Sequence, residues 1–172
     1  MSTLPERDGL SATWQMLATD LTAEPYTGRE PDERGQMVRN LARSGRHQIA
    51  VTDVYCQITE QIGHLAGMSV AIAMPSFGIK RADVVWVSPA RSGDCDLEHP
   101  LPFVPDICAE VLIDSDRVHQ AERLVEAYLA SGAREVIIVD QLGQVHFMGP
   151  KGPRQTSIFG LKLSIDPLCH TN

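Results

Sequence analysis

Two apolar segments of this chain each carry a single carboxylate. Arg81–Ser88 reads RADVVWVS, with Asp83 near its start, and Asp106–Arg117 reads DICAEVLIDSDR, with Glu110 inside the apolar run. A carboxylate in a buried strand is costly unless something compensates it. Two such strands in succession therefore suggest two carboxylates brought to one place. The chemistry that rewards this is capture of a divalent cation or acid–base catalysis. The alternative is that each acid lies at a strand end in water, since a lone acidic residue in a strand carries little weight.

The elements that would position these acids follow from periodicity and turn residues. A short helical signal, SATWQMLATDL, lies in a segment of residues 1–27, read as an N-terminal extension ahead of a single domain over 28–172. Gly35 divides two short segments that can pair as a hairpin. Arg46–Leu65 places Ile49, Val54, Ile58, Ile62 and Leu65 on an amphipathic helix, with Ser44 as N-cap and Gly63 or Gly67 as its end. GMSVAIAM and RADVVWVS follow as strands, and alternation puts Arg81, Asp83, Val85 and Val87 on one face. Ser88–Pro105 is Pro-rich and reads as a long loop, functional or mobile rather than structural. After the Glu110 strand, Asp114 and Asp116 offer caps for a helix over Arg117–Ser131, with Val118, Ala121, Val125, Tyr128 and Leu129 as its apolar face. REVIIVD is a central strand, QVHFMG its hairpin partner, PKGPRQ a loop, and SIFGLKLSI a last strand. The alternation of elements predicts an α/β fold, a mixed sheet flanked by helices.

Composition narrows the function. At 172 residues the chain suits one domain, and its net charge of −7 argues against a protein coated with positive charge for loose nucleic-acid binding. No apolar run is long enough to span a bilayer, and the start of the sequence lacks a secretory pattern, so the expectation is a cytoplasmic protein with no membrane partner. The four cysteines form no CxxC pair and the six histidines no HExxH motif. Reduced thiols are expected, with Cys56 and Cys108 in the core.

The run RADVVWVSP, a Pro-rich loop, PDICAEVLIDSDR, a helix ending in EAYLASGAREVIIVD, and a terminal FGLKLSIDPL together resemble the Uma-two family of predicted endonucleases. That family belongs to the PD-(D/E)XK, or restriction-endonuclease-like, superfamily. The resemblance covers roughly residues 35–168 and is most specific from Asp83 to Asp140. It implies a restriction-endonuclease-like fold, Mg²⁺- or Mn²⁺-dependent cleavage of phosphodiester bonds, a nucleic-acid substrate (DNA in preference to RNA) and a homodimer. Asp83 and Glu110 would be the metal ligands. His47 sits where the family often has a histidine and could support a metal ligand or contact a phosphate, although a helix-start histidine more commonly caps nearby groups.

The sequence departs from the pattern at the basic group. The superfamily lysine, two residues after the acid, is Leu112, and the alternative lysine, four residues before the helix tyrosine, is Leu124. Arg123, next to the latter, is the replacement candidate in a catalytic set of Asp83, Glu110 and Arg123, although an arginine is a poor general base. Lys80 and Arg81 are further candidates, and Arg81 can equally pair with Asp83. Two functions therefore stand side by side: an endonuclease weakened by loss of the lysine, and a nuclease-fold binding or scaffold protein without catalysis. Asp53 and Glu60 on the first long helix read as a solvated face, His99 as an idle loop residue, Tyr128 as core, and Asp140 as a turn former with Gly143.

Overall fold

The computed structural model describes residues 29–39, 44–63, 65–94, 98–113 and 118–166. The expected helix near Trp14, the boundary at residue 27 and the capping role of Asp114 and Asp116 lie outside these residues. β1 (Arg29–Pro31) and β2 (Met37–Arg39) pair antiparallel as a separate two-stranded hairpin. Its turn is an Asx type: the Asp32 side chain accepts from the backbone of Arg34 and Gln36, and Gly35 takes the left-handed φ of 73° that the turn requires.

The main sheet has six strands in the order β3 (Ala66–Met74), β4 (Gly78–Trp86), β5 (Ile107–Val111), β6 (Glu135–Val139), β7 (Val145–Gly149) and β8 (Gly152–Arg154). Only the β5–β6 pair is parallel; the other pairs are antiparallel. A parallel pair needs a crossover, and α2 (Val118–Ala130) supplies it. α1 (Gly45–Ile62) covers the opposite face.

Each helix meets its own apolar layer. On the α1 side, Ala50, Val51, Val54 and Ile58 pack with Val84, Trp86, Ala109, Val111 and Ile137. On the α2 side, Leu124, Val125 and Tyr128 pack with Ile72, Ala82, Val85, Cys108 and Val136. The α1 stripe is shifted from the one expected: Ile49 and Leu65 are exposed, and the inward face instead begins at His47. Cys56 is likewise on the outside of α1, while Cys108 is buried as expected.

The long loop is tied down by one buried acid. Asp106 accepts from the Ser88 amide at 2.8 Å, and Arg91 and Arg134 approach its other oxygen at 3.7 and 3.9 Å. Part of that loop folds as a 3₁₀ helix (Pro89–Asp94), and Leu101 bridges to the β3 backbone on both sides of Ile72.

Two expectations about the C-terminal part are corrected. Residues 152–154, read as loop, form β8 against β7. Residues 157–165, read as a strand, make no ladder. Their alternation is real, because Leu161 and Ile165 insert into the α1-side core. Their backbone partners, however, are two glutamine side chains of α1. Gln57 both donates to Ser164 O and accepts from Ser164 N, and Gln61 does the same with Lys162, all at 2.8–2.9 Å. Side-chain amides thus stand in for a neighbouring strand. The segment is anchored upstream by Glu135, which accepts from the Ser157 hydroxyl at 2.6 Å and the Ile158 amide at 2.7 Å.

Candidate active site

The site forms where β4 and β5 separate. Their ladder runs Trp86–Ile107, Val85–Cys108 and Val84–Ala109, and stops there. The next residues on the two strands are Asp83 and Glu110, so the split falls between the two acids. On its other side β5 stays paired: Glu110 lies opposite Ile138 and Val111 opposite Val139 of β6, which holds the Glu110 backbone in a central position. Opposite Asp83, β3 is irregular: Ser69 takes φ 54°, between the Met68–Val84 and Val70–Ala82 pairs. Side-chain alternation along β4 changes at the same place. Ala82 joins the α2-side layer and Val84 the α1-side layer, so the single face expected from Arg81 through Val87 is interrupted at Asp83.

Both acids are fully buried. Asp83 Oδ2 accepts the Val111 amide at 2.8 Å, so a side chain takes over where the strand backbones no longer meet. The same oxygen lies 3.2 Å from His47 Nε2. Ser44 sets that contact from a distance: as N-cap, its hydroxyl accepts the His47 amide at 3.1 Å and fixes the first turn of α1. The imidazole is fully buried, and its Nδ1 has no hydrogen-bond partner among the described residues. His47 therefore does more than begin a helix; it braces Asp83.

Glu110 is braced from the opposite layer. The Tyr128 hydroxyl of α2 donates to Glu110 Oε1 at 2.7 Å. Burial pushes the Tyr128 phenol well above its ordinary range, and the negative charges of Glu110 and Asp83 add to this. The phenol is therefore held as a donor. Cys108, two residues before Glu110 on β5, is pushed up by burial and then by the Glu110 charge, so it remains a neutral thiol. Sequence reasoning placed Tyr128 in the core, which is correct, but missed its second task.

The basic candidates separate. Arg123 is exposed, and its guanidinium lies over the Phe77 ring, 5.9 Å from the centroid. Arg81 is half-buried and lines an open cavity with Glu98, His99 and Pro100. Leu112 and Leu124, at the two positions where a lysine was sought, are buried. Lys80 is buried as well.

Chemically, the centre offers two carboxylates on adjacent strands. Each is met by a side chain from a different helix, Asp83 by His47 of α1 and Glu110 by Tyr128 of α2. Among the described residues no three His, Cys, Asp or Glu side chains gather as a metal cage. The donor set fits the way Mg²⁺ is commonly held, through one or two carboxylates with waters and substrate phosphates filling the rest.

The fold and this acidic pair define a mixed α/β domain with a two-carboxylate centre. No family model matches the chain, and no curated protein matches it. A solved structure does: a protein from Anabaena variabilis described as a putative nuclease belonging to DUF820. It superposes with a TM-score of 0.67 at 14% identity, over 82% of this chain and 89% of that one. The shared fold is that of the six-stranded sheet with its two helices.

Proposed function

We propose that this protein is a metal-dependent endonuclease that hydrolyses phosphodiester bonds. The observation that carries the reading is the burial of Asp83 and Glu110 on neighbouring strands at the point where those strands part. The match of the whole fold to a protein described as a nuclease supports it. Apolar burial of two acids without function would be an expensive arrangement.

Asp83 and Glu110 would hold a Mg²⁺ or Mn²⁺ ion. When bound, such an ion polarises the phosphate and lowers the pKa of an attacking water. The chain's own residues prepare for this. His47 and the Val111 amide fix one oxygen of Asp83, and Tyr128 fixes one oxygen of Glu110, so neither carboxylate must reorient when the ion arrives. The negative surface expected from a net charge of −7 suits a cation site better than non-specific attraction of a polyanion. DNA in preference to RNA is the substrate we assign, on the family resemblance alone.

Cleavage of supercoiled DNA with Mn²⁺ tests the reading. Wild type should cut, and Asp83→Ala and Glu110→Ala should each lose at least about 10²-fold in rate. Activity that survives in both variants would overturn it. A second reading, a nuclease-fold binding protein without catalysis, has specific support in the apolar burial of Leu112 and Leu124 and in the placement of Arg123 over Phe77. It predicts that wild type binds DNA without cutting it, with or without Mn²⁺.

A further inference from the structure

Phosphate hydrolysis gathers negative charge at the reacting group, and preorganised positive groups in a site closed to water lower that barrier most effectively. Resting on the nuclease reading, we infer that Lys80 of β4 is the positive group of this centre, replacing the lysine absent at positions 112 and 124.

Three observations place it there. Lys80 is the only lysine or arginine buried among the described residues. Its strand register then gives its direction. Lys80 lies opposite Ile72 of β3, and directly opposed residues of an antiparallel pair share a face. Ile72 and the next residue on that face, Ala82, both belong to the layer that contains Tyr128 and Cys108. Glu110 projects into the same layer, because its neighbours Ala109 and Val111 face α1 and its own oxygen meets the Tyr128 hydroxyl. The third observation concerns charge. A buried ammonium needs a buried anion. Among the described residues four carboxylates are buried: Asp106 meets Ser88, Arg91 and Arg134, Glu135 meets Ser157 and Ile158, and Asp83 meets His47 of α1 and the Val111 amide. Glu110 lies on the lysine's own side of the sheet, on the strand next to it.

Lys80 thus enters from the strand that carries Asp83, three residues ahead of it, rather than from the strand that carries Glu110. Its role is electrostatic: the ammonium stabilises the charged phosphate and takes no part in making or breaking bonds.

The test compares full-length wild type, Lys80→Met, Lys80→Arg and Asp83→Ala, with circular dichroism as the folding check. Mn²⁺ affinity is measured by calorimetry without nucleic acid, and cleavage is measured on supercoiled DNA. The expected result for Lys80→Met is a rate about 10²–10³-fold lower, carried by kcat rather than KM. Its Mn²⁺ affinity should rise by about tenfold, because a positive neighbour of the cation has been removed. Lys80→Arg, which keeps the charge, should recover most of the rate and the wild-type affinity; it also supplies the folded comparison if the methionine variant is unstable. A wild type that cuts DNA, with Lys80→Met cutting equally well at unchanged Mn²⁺ affinity, would overturn the role of Lys80 and leave the nuclease reading intact. A wild type that binds Mn²⁺ without cutting leaves the affinity change to decide: tighter binding in Lys80→Met supports the placement, and equal binding overturns it. A wild type that neither binds Mn²⁺ nor cuts overturns both proposals.

Discussion

One donor to the buried acids of the centre can be removed by a simple substitution. Replacing Tyr128 by Phe deletes the hydroxyl that meets Glu110 Oε1 and leaves the ring packing in place. A hydrogen bond to a charged acceptor contributes roughly 1.5–3 kcal/mol, so Tyr128→Phe should unfold in urea at a stability lower by about that amount. The pH response has a definite sign. Tyr128 and Cys108 both titrate higher in the folded state than their ordinary values of 10.0 and 9.0, because burial and the Glu110 charge oppose their ionisation. The unfolded chain therefore releases these protons first, and stability falls as pH rises above about 9 and further above about 10. Below pH 9 neither group changes stability. Thermal melts from pH 7 to 11 should show this loss, reduced above pH 10 in Tyr128→Phe; a flat profile would contradict it. Asp83 and Glu110 were legible in the sequence because a charge inside an apolar run is conspicuous. The residues that hold them were not. His47 and Asp83 are 36 positions apart, Tyr128 and Glu110 18 apart, and nothing local in the sequence marks a residue that completes a contact made only after the sheet has closed. Leu124 carries a related lesson: a position where the family resemblance looked for a lysine is part of the α2 core here, so Leu124→Lys would bury a charge rather than restore a site.

At the level of elements, helix and strand positions followed apolar periodicity closely, and Ser44 and Gly63 bound α1 as their residue types predict. The C-terminal segment did not follow. Its Leu161 and Ile165 satisfy a strand-like alternation by packing on α1, but alternation reports which side chains are buried and is silent about where backbone groups find partners. Those partners come from Gln57 and Gln61, which on an isolated helix read as surface residues. The double variant Gln57→Ala, Gln61→Ala should lower stability by about 1–2 kcal/mol. Hydrogen exchange should accelerate at the Lys162 and Ser164 amides while the β5 and β6 amides stay protected. Unchanged exchange at both amides would show that apolar packing alone holds the segment.

For the molecule as a whole, the described helices include none long and apolar enough to cross a membrane. The sheet ends at β3 on one side, where Leu65 and Met68 are exposed, and at β8 on the other. Exposed apolar groups on an edge strand favour association, and twofold dimers are the commonest closed assembly. Light scattering at micromolar concentration should therefore give about twice the 18.9 kDa chain mass, and Met68→Lys should shift it toward a single chain. A constant 18.9 kDa for wild type would refute the dimer. The glutamine contacts of α1 have a consequence that reaches beyond the C-terminal segment. The first turn of the same helix presses His47 against Asp83, while its later turns grip residues 162 and 164. In mechanical language α1 is a beam with a fixture at each end, and the far fixture is the chain's own tail. Removing residues 155–172 would leave the beam cantilevered, and the slack should surface at the opposite end, as faster exchange of the Val111 amide that Asp83 holds.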